Sequence, residues 1–282
     1  MDRFAKVNDI QLHYLDHGGG GPTLVLLPGL TANAHAFDGL MRAGLGLRFR
    51  VLALDLRGRG LSDKPATGYS MPEHAADVIA LLDGLGVGQA VMCGHSFGGL
   101  LTLYLASRHP ERVKKLVIID SSGMLINPQT RELIKPSLDR LGTRVPSWGL
   151  YLEAMKRAPF FTNWWDSAIE SYFKADVETS EDGTVQPRSR PENIAEAIDE
   201  AGREDWPAHM AAIRQPALLL HAPGAYGPAG APPIVTLQQA RATADALTEC
   251  RYVEVPGNHI TMLYGEGARR IVESITEFAR ED

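Results

Sequence analysis

Short apolar runs alternate with amphipathic, helix-like segments along the first 120 residues of the chain. The runs at 23–27, 50–54, 90–93 and 116–119 are largely apolar, as expected of strands that are buried on both faces. Between the second and third runs, a capping-box pattern at Ser70 opens a segment with apolar residues on one helical face. This alternation predicts an α/β fold, with a mostly parallel sheet and helices on both of its faces.

The pattern changes in the middle of the chain and then returns. Between 122 and 215 the strand-like runs disappear, and aromatic residues collect in helical stretches that prolines interrupt. Strand-like runs return at 216–220 and 251–255, and an amphipathic helix follows them. We therefore predict a core formed by residues 1–121 and 216–282, with residues 122–215 inserted between two strands as a helical cap.

Composition and charge exclude several classes of protein. The chain has 282 residues, a net charge of −6 and a pI near 5.9, and this lack of a basic surplus argues against nucleic acid as a partner. Its two cysteines cannot form a disulfide framework, and no run reaches the roughly 18 apolar residues of a membrane span. The first residues lack the apolar segment of a signal peptide. We expect a cytoplasmic protein with no nucleic-acid partner, and its oligomeric state stays open.

The strongest functional signal is the pentapeptide Gly94-His95-Ser96-Phe97-Gly98, which lies between an apolar run and a helical pattern. A serine at such a strand-to-helix turn adopts a strained backbone, and the flanking glycines give it room. The turn lifts the Ser96 hydroxyl to a helix N-terminus, where the helix dipole favours negative charge. We predict that Ser96 is a nucleophile.

A serine hydroxyl becomes a good nucleophile only when a base takes its proton, so a histidine is required. His259 follows the last apolar run, in a loop at the carboxyl ends of the predicted parallel strands. Ser96 emerges at the same edge of the sheet. His221, which ends another strand, is the alternative. We predict that His259 is the base.

With these residues in place, the chain resembles an α/β-hydrolase of the esterase type. The resemblance covers the core, and four motifs carry it: the pentapeptide with Gly99, Leu26-Leu27-Pro28-Gly29, the stretch from Asp55 to Asp63, and Gly257-Asn258-His259. The family implies an eight-stranded sheet with a lid inserted after the sixth strand. By position in its motifs it also implies an oxyanion hole formed by the backbone N–H groups of Leu30 and Phe97.

The acid of the expected catalytic triad is missing from the family's usual place. The family most often carries it just after the seventh strand, but residues 216–244 contain no Asp or Glu. A minority of the family takes the acid from the end of the sixth strand, where this chain has Asp120. The resemblance therefore implies Asp120 as the partner of His259, with Asp205 and Asp245 as alternatives.

These residues predict acyl-transfer chemistry on a small-molecule acyl substrate. A Ser-His-Asp triad with a backbone oxyanion hole cleaves carboxylic esters through an acyl-enzyme, and the esterase-like pentapeptide makes an ester the first hypothesis. Amides, lactones and carbon–carbon bonds are alternative targets of the same triad. No His, Cys or carboxylate cluster has the spacing of a metal site, so we expect neither a metal nor another cofactor.

Two alternatives stay open for the substrate and the class of protein. A branch of the family with a sixth-strand acid acts on acetamidomethylene-succinate, an amide. For such a substrate Arg188 or Arg190, in a polar stretch at 178–190 that we predict to be an exposed loop, are candidate cations. A ligand-binding receptor on a hydrolase scaffold is the alternative from another class, because the usual acid is missing.

Overall fold

The computed structural model describes residues 1–228 and 230–280 of the chain, and within these ranges ten strands alternate with eleven α-helices. The strands are β1 (Asp2–Val7), β2 (Ile10–Asp16), β3 (Thr23–Leu27), β4 (Arg50–Leu54), β5 (Ala90–His95), β6 (Val113–Ile119), β7 (Val177–Thr179), β8 (Val185–Pro187), β9 (Ala217–His221) and β10 (Cys250–Glu254).

The helices are α1 (Asp38–Arg42), α2 (Met71–Gly84), α3 (Phe97–Arg108), α4 (Pro128–Leu133), α5 (Lys135–Asp139), α6 (Trp148–Lys156), α7 (Ile169–Asp176), α8 (Pro191–Ala201), α9 (Trp206–Ala212), α10 (Leu237–Ala246) and α11 (Gly265–Arg280). Short 3-10 helices lie at Ala34–Phe37, Leu45–Leu47, Pro110–Arg112, Pro159–Phe161 and Thr261–Leu263. Over the described ranges, no helix combines the length and the apolar character that crossing a membrane requires.

Eight of the strands form one central sheet in the order β1-β2-β4-β3-β5-β6-β9-β10. The hairpin of β1 and β2 is antiparallel and joins β4 in antiparallel fashion, whereas all other neighbours in the sheet run parallel. Strands β3, β5 and β6 are buried over almost their whole length, which explains why their sequences are apolar without alternation. The predicted α/β class with a mostly parallel eight-stranded sheet is confirmed.

Side chains that alternate along the strands pack into two layers of core, one on each face of the sheet. In β3, for example, Val25 and Leu27 point into one layer, whereas Leu24 and Leu26 point into the other. The first layer includes α2, α3, α9 and α10, and the second includes α1 and α11. The carboxyl ends of the parallel strands therefore form one edge between two helical layers, where loops can meet.

The segment between β6 and β9 contains helices α4 to α9 and a small hairpin. The prediction of an exposed loop at 178–190 is wrong, because β7 and β8 pair in antiparallel fashion and the Val185 side chain is buried in the second layer of core. Only single apolar residues anchor this hairpin, so its sequence lacks an apolar run. Helix α9 packs on the core helix α3. The division into a core and a cap at 122–215 stays a prediction.

The junction of β5 and α3 is packed so closely that two positions require glycine. A Cβ added at Gly94 would lie 1.9 Å from the carbonyl oxygen of Gly98. A Cβ added at Gly98 would lie 2.0 Å from the carbonyl oxygen of Leu27, at the end of β3. Because these obstacles are backbone atoms, the helix can start directly over the sheet only with glycine at both positions.

We expect Gly98→Ala to lower the free energy of unfolding by about 1–3 kcal/mol or more, because the added methyl group forces the end of β3 away from α3. Urea unfolding measures the change. Gly84→Ala, at the end of α2 with open space around the new Cβ, is the matched control and should be neutral or stabilising. Equal unfolding midpoints for the two variants would contradict the packing argument.

Candidate active site

Ser96 lies at the turn between β5 and α3, in a backbone conformation that L residues rarely adopt. Its φ is 55° and its ψ is −118°. The turn is fixed on both sides, since the Ser96 N–H donates to the carbonyl of Ile119 (3.0 Å) and its own carbonyl accepts from the Gly99 N–H (2.8 Å). The hydroxyl therefore stands at the N-terminus of α3, the positive end of the helix dipole.

His259 extends from the loop between β10 and α11 toward the end of β6. Its Nδ1 lies 2.6 Å from Oδ2 of Asp120. The neighbouring Asn258 holds the loop in place: its Nδ2 donates to the carbonyl of Phe160 (2.8 Å), and its Oδ1 accepts from the Thr261 N–H (3.0 Å). The histidine loop is thus tied to the segment inserted between β6 and β9.

Asp120 directly follows β6 and is completely buried. Its φ of 43° lies in the left-handed region, and its N–H donates to the carbonyl of Leu220 (2.7 Å). Oδ1 accepts a hydrogen bond from the Ala222 N–H (2.9 Å), so one carboxylate oxygen is fixed by the backbone and the other faces His259. The sixth strand therefore delivers this carboxylate to the imidazole in a defined orientation.

The alternative base and acids are engaged elsewhere. The two ring nitrogens of His221 contact the hydroxyl of Tyr252 (2.8 Å) and the carbonyl of Val235 (2.9 Å). Asp205 caps the N-terminus of α9, and Asp245 is exposed on α10. The structure thus places the predicted aspartate against the predicted base, and the predicted nucleophile Ser96 lines the same cavity as His259.

Leu30 and Phe97, the predicted oxyanion-hole residues, line the same cavity as Ser96. Leu30 belongs to the loop after β3, and Phe97 is the first residue of α3. Within the described ranges, neither backbone N–H donates to a protein acceptor. A Cβ added at Gly29 would lie 3.5 Å from the Ser96 Cβ, so the two segments with these free donors meet at the serine.

The cavity that contains Ser96 and His259 has a volume of about 290 Å³. It lies between the edge of the sheet and the inserted segment. Its wall is mainly aliphatic and aromatic, with contributions from Leu125, Ile134, Met155, Phe160, Phe173 and Ile260. Arg131 and Arg140 also line it, whereas no Asp or Glu of the described ranges does.

Arg140 brings a buried positive charge to this cavity. Its guanidinium forms an ion pair with Asp176 and donates to the hydroxyl of Tyr151 (3.1 Å). Burial alone would lower the pKa of Arg140, but the Asp176 carboxylate outweighs this effect and raises the pKa above its ordinary value. Arg131 pairs with Asp199 at 2.7 Å, and both of these side chains are exposed. Each cavity arginine therefore already has an acidic partner.

The arginines proposed from the sequence as substrate cations lie elsewhere. Arg188 is half-buried after β8, Arg190 is exposed at the start of α8, and neither lines the cavity. The sequence did not single out Arg131, on α4, or Arg140, directly after α5, because no motif marks either position. Only tertiary packing distinguishes them from the other arginines of the segment.

His95, directly before the nucleophile, contacts the predicted base. Its Nε2–H donates to the backbone carbonyl of His259 (2.8 Å), and the two rings lie 4.6 Å apart. Burial lowers the pKa of His95 well below its ordinary value, and the neighbouring His259 lowers it further. The His95 ring is therefore neutral and supports His259 without competing for its proton. The position of His95 in the pentapeptide, directly before Ser96, was the sequence signal that could have identified it as a site residue.

A model of the family described as the alpha/beta hydrolase fold matches residues 22–265. The chain belongs to the α/β-hydrolase family. A 2-(acetamidomethylene)succinate hydrolase of Mesorhizobium japonicum is 36% identical over 156 residues, 55% of this chain and 52% of that protein. The match thus spans about half the length of that relative. An N-formylmaleamate deformylase of Pseudomonas putida is 28% identical over 219 residues, 77% of this chain and 76% of that protein.

The solved structure of an E-2-(acetamidomethylene)succinate hydrolase is similar over nearly the whole of this α/β-hydrolase. The TM-score is 0.83 and the sequence identity 25%, with 99% of this chain and 98% of the other covered. The similarity therefore includes the segment between β6 and β9, for which the sequence offered no motif.

Because His95 is neutral in the folded protein, we expect it to make the free energy of unfolding depend on pH. The pKa of His95 is lower in the folded protein than the value of about 6.5 in the unfolded chain. The free energy of unfolding is therefore unaffected by His95 above about pH 6.5 and falls as the pH drops below that value. We expect His95→Gln, which keeps a donor toward His259, to reduce this acid loss by about 1.4 kcal/mol per pH unit between about pH 6 and 5.

Urea unfolding of the wild type and His95→Gln over this pH range measures the difference, with the values at about pH 8 as the internal reference. Equal acid losses in the two proteins would show that His95 takes up a proton in the folded state, against the geometry described above.

Proposed function

We propose that this α/β-hydrolase hydrolyses carboxylic esters through an acyl-enzyme formed on Ser96. The observation that supports this most directly is the 2.6 Å contact between His259 Nδ1 and Asp120 Oδ2. A carboxylate at Nδ1 holds the proton on that nitrogen, so Nε2 is left as the basic atom that can take the serine proton. His259 and Ser96 line one cavity, as this role requires.

In the proposed reaction, Ser96 Oγ attacks the acyl carbonyl while His259 takes the hydroxyl proton. The N–H groups of Leu30 and Phe97 bind the resulting oxyanion, and the N-terminus of α3 adds its dipole. His259 then donates the proton to the oxygen of the leaving alcohol. Water repeats the sequence on the acyl-enzyme, which releases the acid and restores Ser96.

The cavity supports a substrate with a small or medium, largely apolar acyl or alkyl group. Its volume of about 290 Å³ and its aliphatic and aromatic wall exclude water from such a group. The donors of Arg140 are directed at Asp176, Tyr151 and Thr31, which leaves this cation less available to a substrate anion. These features favour an ester of an uncharged acid.

A second candidate is the hydrolysis of an amide whose acid part carries a carboxylate. Two arginines and no acidic residue of the described ranges line the cavity, which favours an anionic group there. Relatives named 2-(acetamidomethylene)succinate hydrolase and N-formylmaleamate deformylase support this candidate by their names. The partly exposed Arg131 would be the cation with most freedom to bind the carboxylate.

We expect Asp120→Asn to lower kcat on p-nitrophenyl acetate and butyrate by about 10⁴, because an asparagine favours the wrong imidazole tautomer. Ser96→Ala should be inactive. Asp245→Asn, on the exposed face of α10, is the control and should keep the wild-type rate. Circular dichroism verifies that each variant is folded.

Near wild-type turnover by folded Asp120→Asn would contradict the proposed triad. A wild type that releases one equivalent of p-nitrophenol and then stops would favour the receptor alternative.

The charge of the preferred acyl group separates the two candidate substrates. We expect kcat/KM for p-nitrophenyl butyrate to exceed that for the p-nitrophenyl monoester of succinate by about tenfold or more, because the apolar wall disfavours a free carboxylate. Arg131→Gln should leave the rate on the butyrate ester unchanged. A preference for the succinate ester that disappears in Arg131→Gln would instead support the anionic substrate.

A further inference from the structure

Arg59 is a completely buried arginine that forms no ion pair within the described part of the chain. It lies in the turn after β4, between two glycines. Burial lowers the pKa of its guanidinium to about 10, so the side chain remains protonated at neutral pH. A buried charge without a counter-ion is costly, and such costs are typical of functional sites.

The guanidinium contacts both residues of the proposed oxyanion hole. Its Nε–H donates to the backbone carbonyl of Leu30 (2.9 Å). Its central carbon lies 5.3 Å from the centre of the Phe97 ring, in a cation–π arrangement. One of its terminal nitrogens, Nη2, is buried and has no hydrogen-bond partner among the residues that the structure describes.

The other neighbours of Arg59 do not balance its charge. Nη1 donates to the carbonyl of Arg57 (2.7 Å), and the ring of Tyr69 lies 5.8 Å from the guanidinium carbon. His74 is fully buried, and this burial lowers its pKa well below the ordinary value; the charges of Arg59 and Arg57 lower it further. The imidazole is therefore neutral, and a net positive charge remains behind Leu30 and Phe97.

We propose that Arg59 is a positioning residue of the oxyanion hole, which it supports by fixing Leu30 and Phe97 and by leaving a positive charge uncompensated behind them. The inference rests on the proposed acyl-transfer function. The Leu30 carbonyl is fixed by a charged donor, so the residue that offers its N–H to the oxyanion cannot rotate freely. In the low dielectric of the interior, the charge also favours the negative oxygen that develops in the cavity.

Arg57, two residues earlier in the same turn, has contacts typical of a purely structural arginine. Its Nε and Nη2 bind the two carboxylate oxygens of Asp77 at 2.6 and 2.8 Å, and Nη1 donates to the carbonyl of Gly68. It forms none of the contacts with Leu30 or Phe97 that Arg59 forms. Removing Arg57 leaves Asp77 as an unpaired buried charge, whereas removing Arg59 relieves one.

Because Arg57 has a buried counter-ion and Arg59 has none within the described ranges, substituting each in turn separates effects on stability from effects on catalysis. We expect Arg59→Met to lower kcat on p-nitrophenyl butyrate by at least about tenfold, with KM within about twofold of the wild type, because the ground state does not use the oxyanion hole. Its urea-unfolding midpoint should equal or exceed that of the wild type. Arg57→Met should show the reverse, a lower midpoint with the wild-type kcat per folded molecule.

A second readout avoids the need for an ester substrate. A fluorophosphonate probe modifies an activated serine: the serine Oγ bonds to phosphorus, fluoride leaves, and negative charge develops on the phosphoryl oxygen, which an oxyanion hole stabilises. Mass spectrometry measures the rate of its attachment to Ser96. We expect Arg59→Met to slow this labelling by the same factor as kcat, and Arg57→Met to leave it unchanged. If Arg59→Met does not fold, Arg59→Gln, which keeps a neutral donor, replaces it in both measurements.

The outcomes distinguish failure of the proposed function from failure of this inference. If the wild type hydrolyses no ester but Ser96 is labelled at a rate that depends on Arg59, the ester proposal fails and the inference stands. If a folded Arg59 variant keeps wild-type kcat and labelling, or loses them only in proportion to its folded fraction, the inference is wrong. A wild-type Ser96 that the probe does not label overturns the inference together with the proposed triad.

Discussion

The hydrogen bond between His259 and Asp120 joins residues 139 positions apart, and the candidate site depends on the sheet that makes it possible. Asp120 directly follows β6, and His259 lies beyond β10, two strands away in the sheet. Because the strands between them run parallel, their carboxyl ends share one edge, where β5 also presents Ser96. A change that shifts β6 against β9 would separate the carboxylate from the imidazole without touching either residue.

Hydrogen bonds and packing fix the position of the charged and titratable side chains around Ser96. Asp120 is a buried anion whose orientation is fixed by a backbone N–H, and His95 is a neutral ring packed against His259. Arg59 donates to the Leu30 carbonyl and so holds a positive charge at the loop of the proposed oxyanion hole. A reaction that leaves a positive charge on His259 beside Asp120 and a negative oxygen in the proposed oxyanion hole would be favoured at both ends of this arrangement.

Much of the core could be predicted because its signals are local. The apolar runs at 23–27 and 50–54 coincide with β3 and β4, and the pentapeptide fixes the strand, turn and helix around Ser96. The inserted segment could not be predicted in this way. Its hairpin is anchored by isolated valines, and one of its two cavity arginines, Arg140, pairs with Asp176 on α7. Such pairs depend on tertiary packing, which neither periodicity nor capping patterns record. The family resemblance, rather than any pattern, led to Asp120.

In the proposed mechanism, Ser96 carries the acyl group, whereas Asp120 only orients His259. The most direct test is to quench the wild-type enzyme in acid during turnover of p-nitrophenyl butyrate and to locate the butyryl group by peptide mass spectrometry. We expect a butyryl group on the peptide that contains Ser96 and an unmodified peptide around Asp120. A butyryl group on Asp120, or steady turnover with no acylated Ser96 peptide at any quench time, would contradict this mechanism.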